Sequence, residues 1–225
     1  MIEYHKPIPV LSFPVNVPVG VAADEPLVCI TDDSSFLNQP VYFEQGIPGA
    51  VKEPMLRKGA FERLQKAASF LPAGYRLLVF DAWRPYAVQK GLYDTYYEQL
   101  LKQNPQWSAE KLAEETRFFV SPPSTDIMNP SVHASGGAVD VTITDEDGNM
   151  LDMGTAFDDF TSLANTAAFE QSDNETVRNN RRMLYNCMVA AGFTNLPSEW
   201  WHYDYGNGFW ACFNNTEPIY KGILE

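Results

Sequence analysis

Two short segments hold most of the residues whose types and spacing could do chemistry: Ser131-Val-His-Ala-Ser-Gly-Gly-Ala-Val-Asp140 and Glu199-Trp-Trp-His202. The chain has three histidines, and two of them, His133 and His202, stand in these segments. Two imidazoles and the Asp140 carboxylate make a three-ligand set for a divalent metal, zinc first. A fourth position would stay open to water, as it does in catalytic rather than structural zinc sites. Glu199, just ahead of the second imidazole, is placed to act on that water as a base. The constellation predicts metal-assisted hydrolysis.

The surroundings of these residues favour a metal over simple burial. Asp140 lies between Val139 and Val141 in an apolar strand, where an unpaired carboxylate is costly. His133 is separated from it by Ser135-Gly136-Gly137, and the glycines permit the tight return that aims both side chains at one point. His202 sits among Trp200, Trp201 and Tyr203, an apolar setting for a neutral imidazole. Taken singly, each could be a satisfied core residue, a cap or a salt-bridge partner; their joint occurrence with Glu199 carries the metal reading. On a regular strand, residues 199 and 202 would point to opposite faces. Glu199 is therefore expected in a turn or bulge before the strand, which Pro197-Ser198 permits.

The elements that must position these residues follow from periodicity. Ala60, Phe61, Leu64, Ala67, Ala68 and Leu71 recur at helical spacing, predicting a helix over 57–71 that Pro72 and Gly74 end. Tyr75 to Phe80 reads as a buried strand. Pro85 opens a helix running to about residue 103, and Ser108 caps another. Residues 119–131 read as irregular loop, Ala138 to Ile143 as a strand, and Asp145-Glu-Asp-Gly148 as the turn after it. Val177, Leu184, Cys187, Met188 and Ala191 line one face of a helix from Glu175 to Ala191, which Gly192 stops. Trp201 to Tyr205 reads as a final core strand. Residues 1–56, rich in Pro, Val and Asp, predict extended chain and short strands. The sum is one α+β domain over 1–225: a central, mainly antiparallel sheet carrying the zinc site, packed by helices.

Bulk properties narrow the partners. The net charge of −13 and pI near 4.6 argue against binding nucleic acid or an anionic membrane, both of which need Lys and Arg. No stretch approaches the ~20 apolar residues that span a bilayer. The start Met1-Ile-Glu-Tyr-His-Lys-Pro7 has neither a basic leader nor an apolar core, so a cytoplasmic location is expected. Cys29, Cys187 and Cys212 are odd in number and widely spaced, predicting reduced, mostly buried thiols. Nothing in the sequence specifies an oligomeric state.

The patterns Ser-x-His-x-x-Gly-x-Ala-x-Asp and Glu-x-Trp-His resemble those of the D-alanyl-D-alanine dipeptidases, zinc enzymes related in fold to D,D-carboxypeptidases and the hedgehog domain. Asp81-Ala-Trp-Arg-Pro85 is similar to that family's Arg-Pro segment, and Asp152-Met-Gly-Thr-Ala-Phe-Asp158 to its Met-Gly loop. Asn180-Arg-Arg-Met-Leu and Met188-Val-Ala-Ala-Gly-Phe193 resemble its helix before the last strand. The resemblance spans about 57–205. It implies one zinc ion per chain on His133, Asp140 and His202, Glu199 as general base and Arg84 as oxyanion partner. Ser131 and Asp158 would hold the free ammonium group of a small D-amino dipeptide, which is cleaved to free amino acids.

Residues 1–56 diverge from the family. Ile30, in Ile30-Thr-Asp-Asp-Ser-Ser-Phe36, stands where the family's amine-holding tyrosine would fall, which loosens the expectation of strict D-Ala-D-Ala specificity. Two alternatives remain at this point. One is a D,D-carboxypeptidase or peptidoglycan-stem endopeptidase of the same fold, against which the missing leader argues. The other is a non-catalytic, hedgehog-like zinc-binding module, against which Glu199 and Arg84 argue.

Overall fold

Alternation along Ala138-Val-Asp-Val-Thr-Ile143 decides the architecture. Val139, Val141 and Ile143 point into a common core with Leu64, Leu184 and Met188, while Asp140 and Thr142 take the opposite face of a fully buried strand. Each fully buried aliphatic side chain of that core contributes roughly 1.5–3 kcal/mol. The computed structural model describes residues 2–13, 17–18, 23 and 25–225. Residues 1, 14–16, 19–22 and 24 lie outside the described residues, and with them parts of the expected extended N-terminal chain.

In chain order the elements are β1 (Leu27–Cys29), β2 (Phe36–Asn38), α1 (Val41–Glu44), β3 (Met55–Arg57), α2 (Lys58–Ser69), β4 (Arg76–Asp81) and α3 (Tyr86–Gln103). There follow α4 (Ala109–Phe119), a 3-10 turn (Val132–Ser135), β5 (Ala138–Thr144), a second 3-10 turn (Ser162–Ala164), α5 (Glu175–Ala191), β6 (Thr194–Asn195), β7 (His202–Asp204) and α6 (Gly208–Asn214). The main sheet has the order β2-β4-β5-β7-β6. Only the β2–β4 pairing within it is parallel, so the sheet is mainly antiparallel, in an α+β fold as expected. β1 and β3 form a separate antiparallel pair.

Helices α2 and α5 cover the core face of the sheet, and they stop where local chemistry says they should. The Asn174 side chain accepts from Val177 N at 3.2 Å to start α5, and Gly192 ends it with φ 108°, a conformation glycine adopts without steric cost. Ser108 caps α4 through Lys111 N. Some expectations shift. Pro85 is the N-cap of α3 rather than its first residue. The short helices α1 and α6 were not foreseen; each is one or two turns held by tertiary packing, below the length at which periodicity registers. Cys187 is buried, but Cys29 is exposed and Cys212 intermediate. Among the described residues no helix is long and apolar enough to cross a membrane.

Candidate metal centre

The register of two strands brings the acid and one imidazole together. Asp140 on β5 pairs directly with His202 on β7, and both point away from the core, while Tyr203 between His202 and Asp204 points into it. His133 arrives on the 3-10 turn. Gly136, at φ 73°, reverses the chain, and Gly137 admits no side chain because a Cβ there would meet Tyr205 O at 2.1 Å. The two glycines perform the return the sequence predicted.

All three side chains are buried, and their ligand atoms lie within 4.8 Å of one another. His133 Nε2 is 3.3 Å from His202 Nδ1 and 3.4 Å from Asp140 Oδ2; His202 Nδ1 is 3.0 Å from Asp140 Oδ1. The outer nitrogens fix the tautomers. His133 Nδ1 donates to Ala82 O at 2.7 Å, and His202 Nε2 donates to Asp204 Oδ1 at 3.0 Å. With those nitrogens donating outward, both inward nitrogens can offer lone pairs to a cation held between them and Asp140. Two nitrogens and one oxygen, with an outer partner on each imidazole, fit zinc. Burial first, then the Arg84 charge, push His133 down to about 3, so it is a neutral imidazole at ordinary pH. Burial opposes protonation of His202, but Asp204 and Asp140 outweigh it and raise its pKa, a preference for positive charge that a bound cation would satisfy in place of the proton.

Glu199 stands in the turn before β7, where Glu199 N bonds to Leu196 O and His202 N to Glu199 O, as the opposite-face argument required. Its Oε2 is 3.9 Å from His202 Nδ1, and burial, only partly offset by His202, pushes its carboxyl up to about 7. A carboxylate poised near neutrality suits a general base. Arg84 follows β4 and is nearly buried. Its Nε donates to Asp81 at 2.9 Å and its Nη1 to Gln89 at 2.8 Å, and Nη2 lies 3.7 Å from Asp140. Asp81 and Gln89 thus lock the guanidinium in one orientation.

Arg84, His133, Asp140, Asp158, Glu199 and His202 all line one cavity of about 240 Å³. Asp158 sits on the Met-Gly loop with φ 58°, a conformation that Asp tolerates better than most residues. Arg181 on α5 tethers that loop with bonds to the carbonyls of Met153, Asn165 and Leu163, and Trp200 bonds to Thr155. Burial pushes Asp158 up to about 6. Ser131 is buried beside His133 but lines a neighbouring cavity instead.

Ile30 lies in the core, 2% exposed. The tyrosine that reaches the cavity from the N-terminal part is Tyr42 on α1, whose hydroxyl donates to Asp158 Oδ2 at 3.0 Å and whose ring lies under Arg84. Sequence reasoning missed Tyr42, Asp81, Gln89 and Asp204 as parts of this site. Asp204 carried a usable signal, since a residue two along a strand shares the face of His202. Tyr42 carried none.

A model of the D-ala-D-ala dipeptidase family matches residues 49–217. The chain is 30% identical over 189 residues to a D-alanyl-D-alanine dipeptidase of Synechocystis sp., covering 75% of this chain and 76% of that one. It is 31% identical over 151 residues to that of Escherichia coli, covering 67% and 66%. Among solved structures, a mutant of the vancomycin-resistance D,D-pentapeptidase VanY in complex with Zn(II) is similar at 15% identity and a TM-score of 0.47, over 94% of this chain and 93% of that one. Family match and identity agree with the resemblance read from the motifs: the chain belongs to the D-alanyl-D-alanine dipeptidase family of metallopeptidases.

Proposed function

We propose that this chain, as one domain holding one zinc ion, hydrolyses D-alanyl-D-alanine or a closely related D-amino dipeptide to free amino acids. The observation that carries the proposal is the convergence of His133, Asp140 and His202 with Glu199 and Arg84 on one cavity that also contains a carboxylate–tyrosine pair. Bound zinc would supply Lewis acidity, polarising the scissile carbonyl and easing deprotonation of the attacking water.

The protein's own groups do the rest. Glu199 takes the proton from the attacking water and passes it to the leaving amine. Its elevated pKa makes both transfers feasible near neutral pH. The Arg84 guanidinium, held by Asp81 and Gln89, faces the negative charge that builds on the carbonyl oxygen. Fixed donors of this kind cost no reorganisation at the moment of reaction. Asp158, bonded to Tyr42, takes the substrate's free ammonium group, and Ser131, which lines the neighbouring cavity, is a further candidate contact for it. A free amino end held this way limits the substrate to dipeptides.

Offering the zinc-loaded protein D-Ala-D-Ala, an N-acylated D-Ala-D-Ala and a muropeptide tests the reading. Release of alanine from the free dipeptide alone is expected. Preference for the acylated substrate or the muropeptide would overturn it in favour of a carboxypeptidase or endopeptidase.

A further inference from the structure

The segment after residue 217 lies beyond the family match, yet it bonds to several of the pieces that carry the candidate site. It runs extended, with Pro218, Tyr220 and Gly222 buried and Ile219, Lys221 and Ile223 half-buried. Ile219 N and Tyr220 N both donate to Gly206 O, just past β7, at 2.7 and 2.9 Å. Gly222 N donates to Ile127 O and Ile223 N to Ala134 O, each at 2.7 Å; Ala134 is the residue after His133. From the other side, Trp83 Nε1 donates to Ile223 O at 2.9 Å and Tyr86 N to Leu224 O at 3.1 Å, bracketing Arg84. Arg57 completes the seam, with Nη2 on Lys221 O at 2.9 Å and Nε on Ser135 O at 3.0 Å.

The direct backbone bond between the Arg84 junction and the His133 turn is longer, Arg84 N to His133 O at 3.4 Å. We propose that residues 219–224 form a positioning strap that sets Arg84 against His133 and holds both in register with the end of β7. The reason is geometric. The junction and the turn are loops, which rely on partners for their backbone groups, and the strap supplies bonds to both at once. Misplacing a reacting group by ~1 Å can cost on the order of 10²-fold in rate.

Gly222 lets the strap lie close. A Cβ there would come within 2.8 Å of Pro130 Cβ and 3.4 Å of Ile127 Cα, so a larger side chain must lift the strap. Trp83→Phe is the gentler variant, removing the indole donor to Ile223 O while keeping a ring in place.

The turnover part of this inference rests on the proposed dipeptidase reading; the zinc part rests only on the ligand set. The test compares Gly222→Val and Trp83→Phe with Leu64→Ala, a core variant on α2 remote from the strap. Zinc affinity is measured by chelator competition, and kcat and KM on D-Ala-D-Ala are corrected to folded, zinc-loaded protein. Both strap variants are expected to weaken zinc binding about tenfold, as loss of supporting contacts to ligands does, and to lower kcat about tenfold with KM little changed. Leu64→Ala should lower Tm without changing either corrected quantity. Wild-type zinc affinity and kcat in Trp83→Phe, or losses in the strap variants that Leu64→Ala reproduces at equal Tm, would overturn the strap. Should Gly222→Val fail to fold, Trp83→Phe alone decides. Should the wild-type protein cleave no dipeptide, the dipeptidase reading fails, while the zinc affinities still decide the strap.

Discussion

Asp140 and His202 are a cross-strand pair on β5 and β7, and His133 joins them on a turn whose glycines are sterically required. Asp158 and Tyr42, at the same cavity, stand instead on a long loop and a four-residue helix, tied down by Arg181 and Trp200 from a distance. The proposed metal corner is thus built into the sheet, and each imidazole has an outer partner that orients it. The side proposed to recognise the substrate is assembled from segments with little regular structure of their own. Chemistry can stay fixed on such a scaffold while the loop and α1 vary, and with them the identity of the substrate.

If this division is real, substitutions on the two sides should fail in different ways. The largest effect belongs to His202→Ala, which removes a ligand from the strand pair. Zinc should be lost and turnover should fall on the order of 10³-fold or more, the value of several kcal/mol of Lewis-acid stabilisation. A mass measurement under native conditions, run beside the assay, checks both. Arg84→Lys comes next. A point charge cannot keep the bonds to Asp81 and Gln89 together, so kcat should drop ~10²–10³-fold with zinc retained; loss of zinc instead would place Arg84 in the metal corner.

Asp204→Asn probes the corner without touching a ligand. It replaces the carboxylate that holds His202 Nε2, and zinc should bind ~10–100-fold more weakly in chelator competition. Asp158→Asn should act only on recognition, raising KM ~10–100-fold, the value of a charged hydrogen bond, with zinc affinity unchanged. The pH dependence follows with its sign. The Asp158 carboxyl titrates near 6, so KM of the wild-type protein should fall as pH rises through that value and the carboxylate forms; in Asp158→Asn that step should vanish. A changed zinc affinity in Asp158→Asn would break the comparison.

The same division decides what the sequence made legible. The alternation of β5, the glycine pair, the Gly192 stop of α5 and the turn before His202 are local, and reading along the chain found them, while the Asn174 cap that starts α5 went unread. Tyr42 was invisible because its place depends on α1 docking beside Asp158, more than a hundred residues away in the chain, and nothing in Val41–Glu44 has a period. Ile30 took its place in the expectation only through linear order; its side chain belongs to the core. Arg181 was visible as a motif but not as a tether, since its bonds run to carbonyls, which carry no residue identity.

The account stands most directly on Glu199 acting as the base at an intact metal centre. Zinc content and D-Ala-D-Ala turnover should be measured on the same preparation of Glu199→Gln. The prediction is one zinc per chain, as in the wild-type protein, with kcat lowered ~10²–10⁴-fold. Wild-type turnover in the zinc-loaded variant would contradict it.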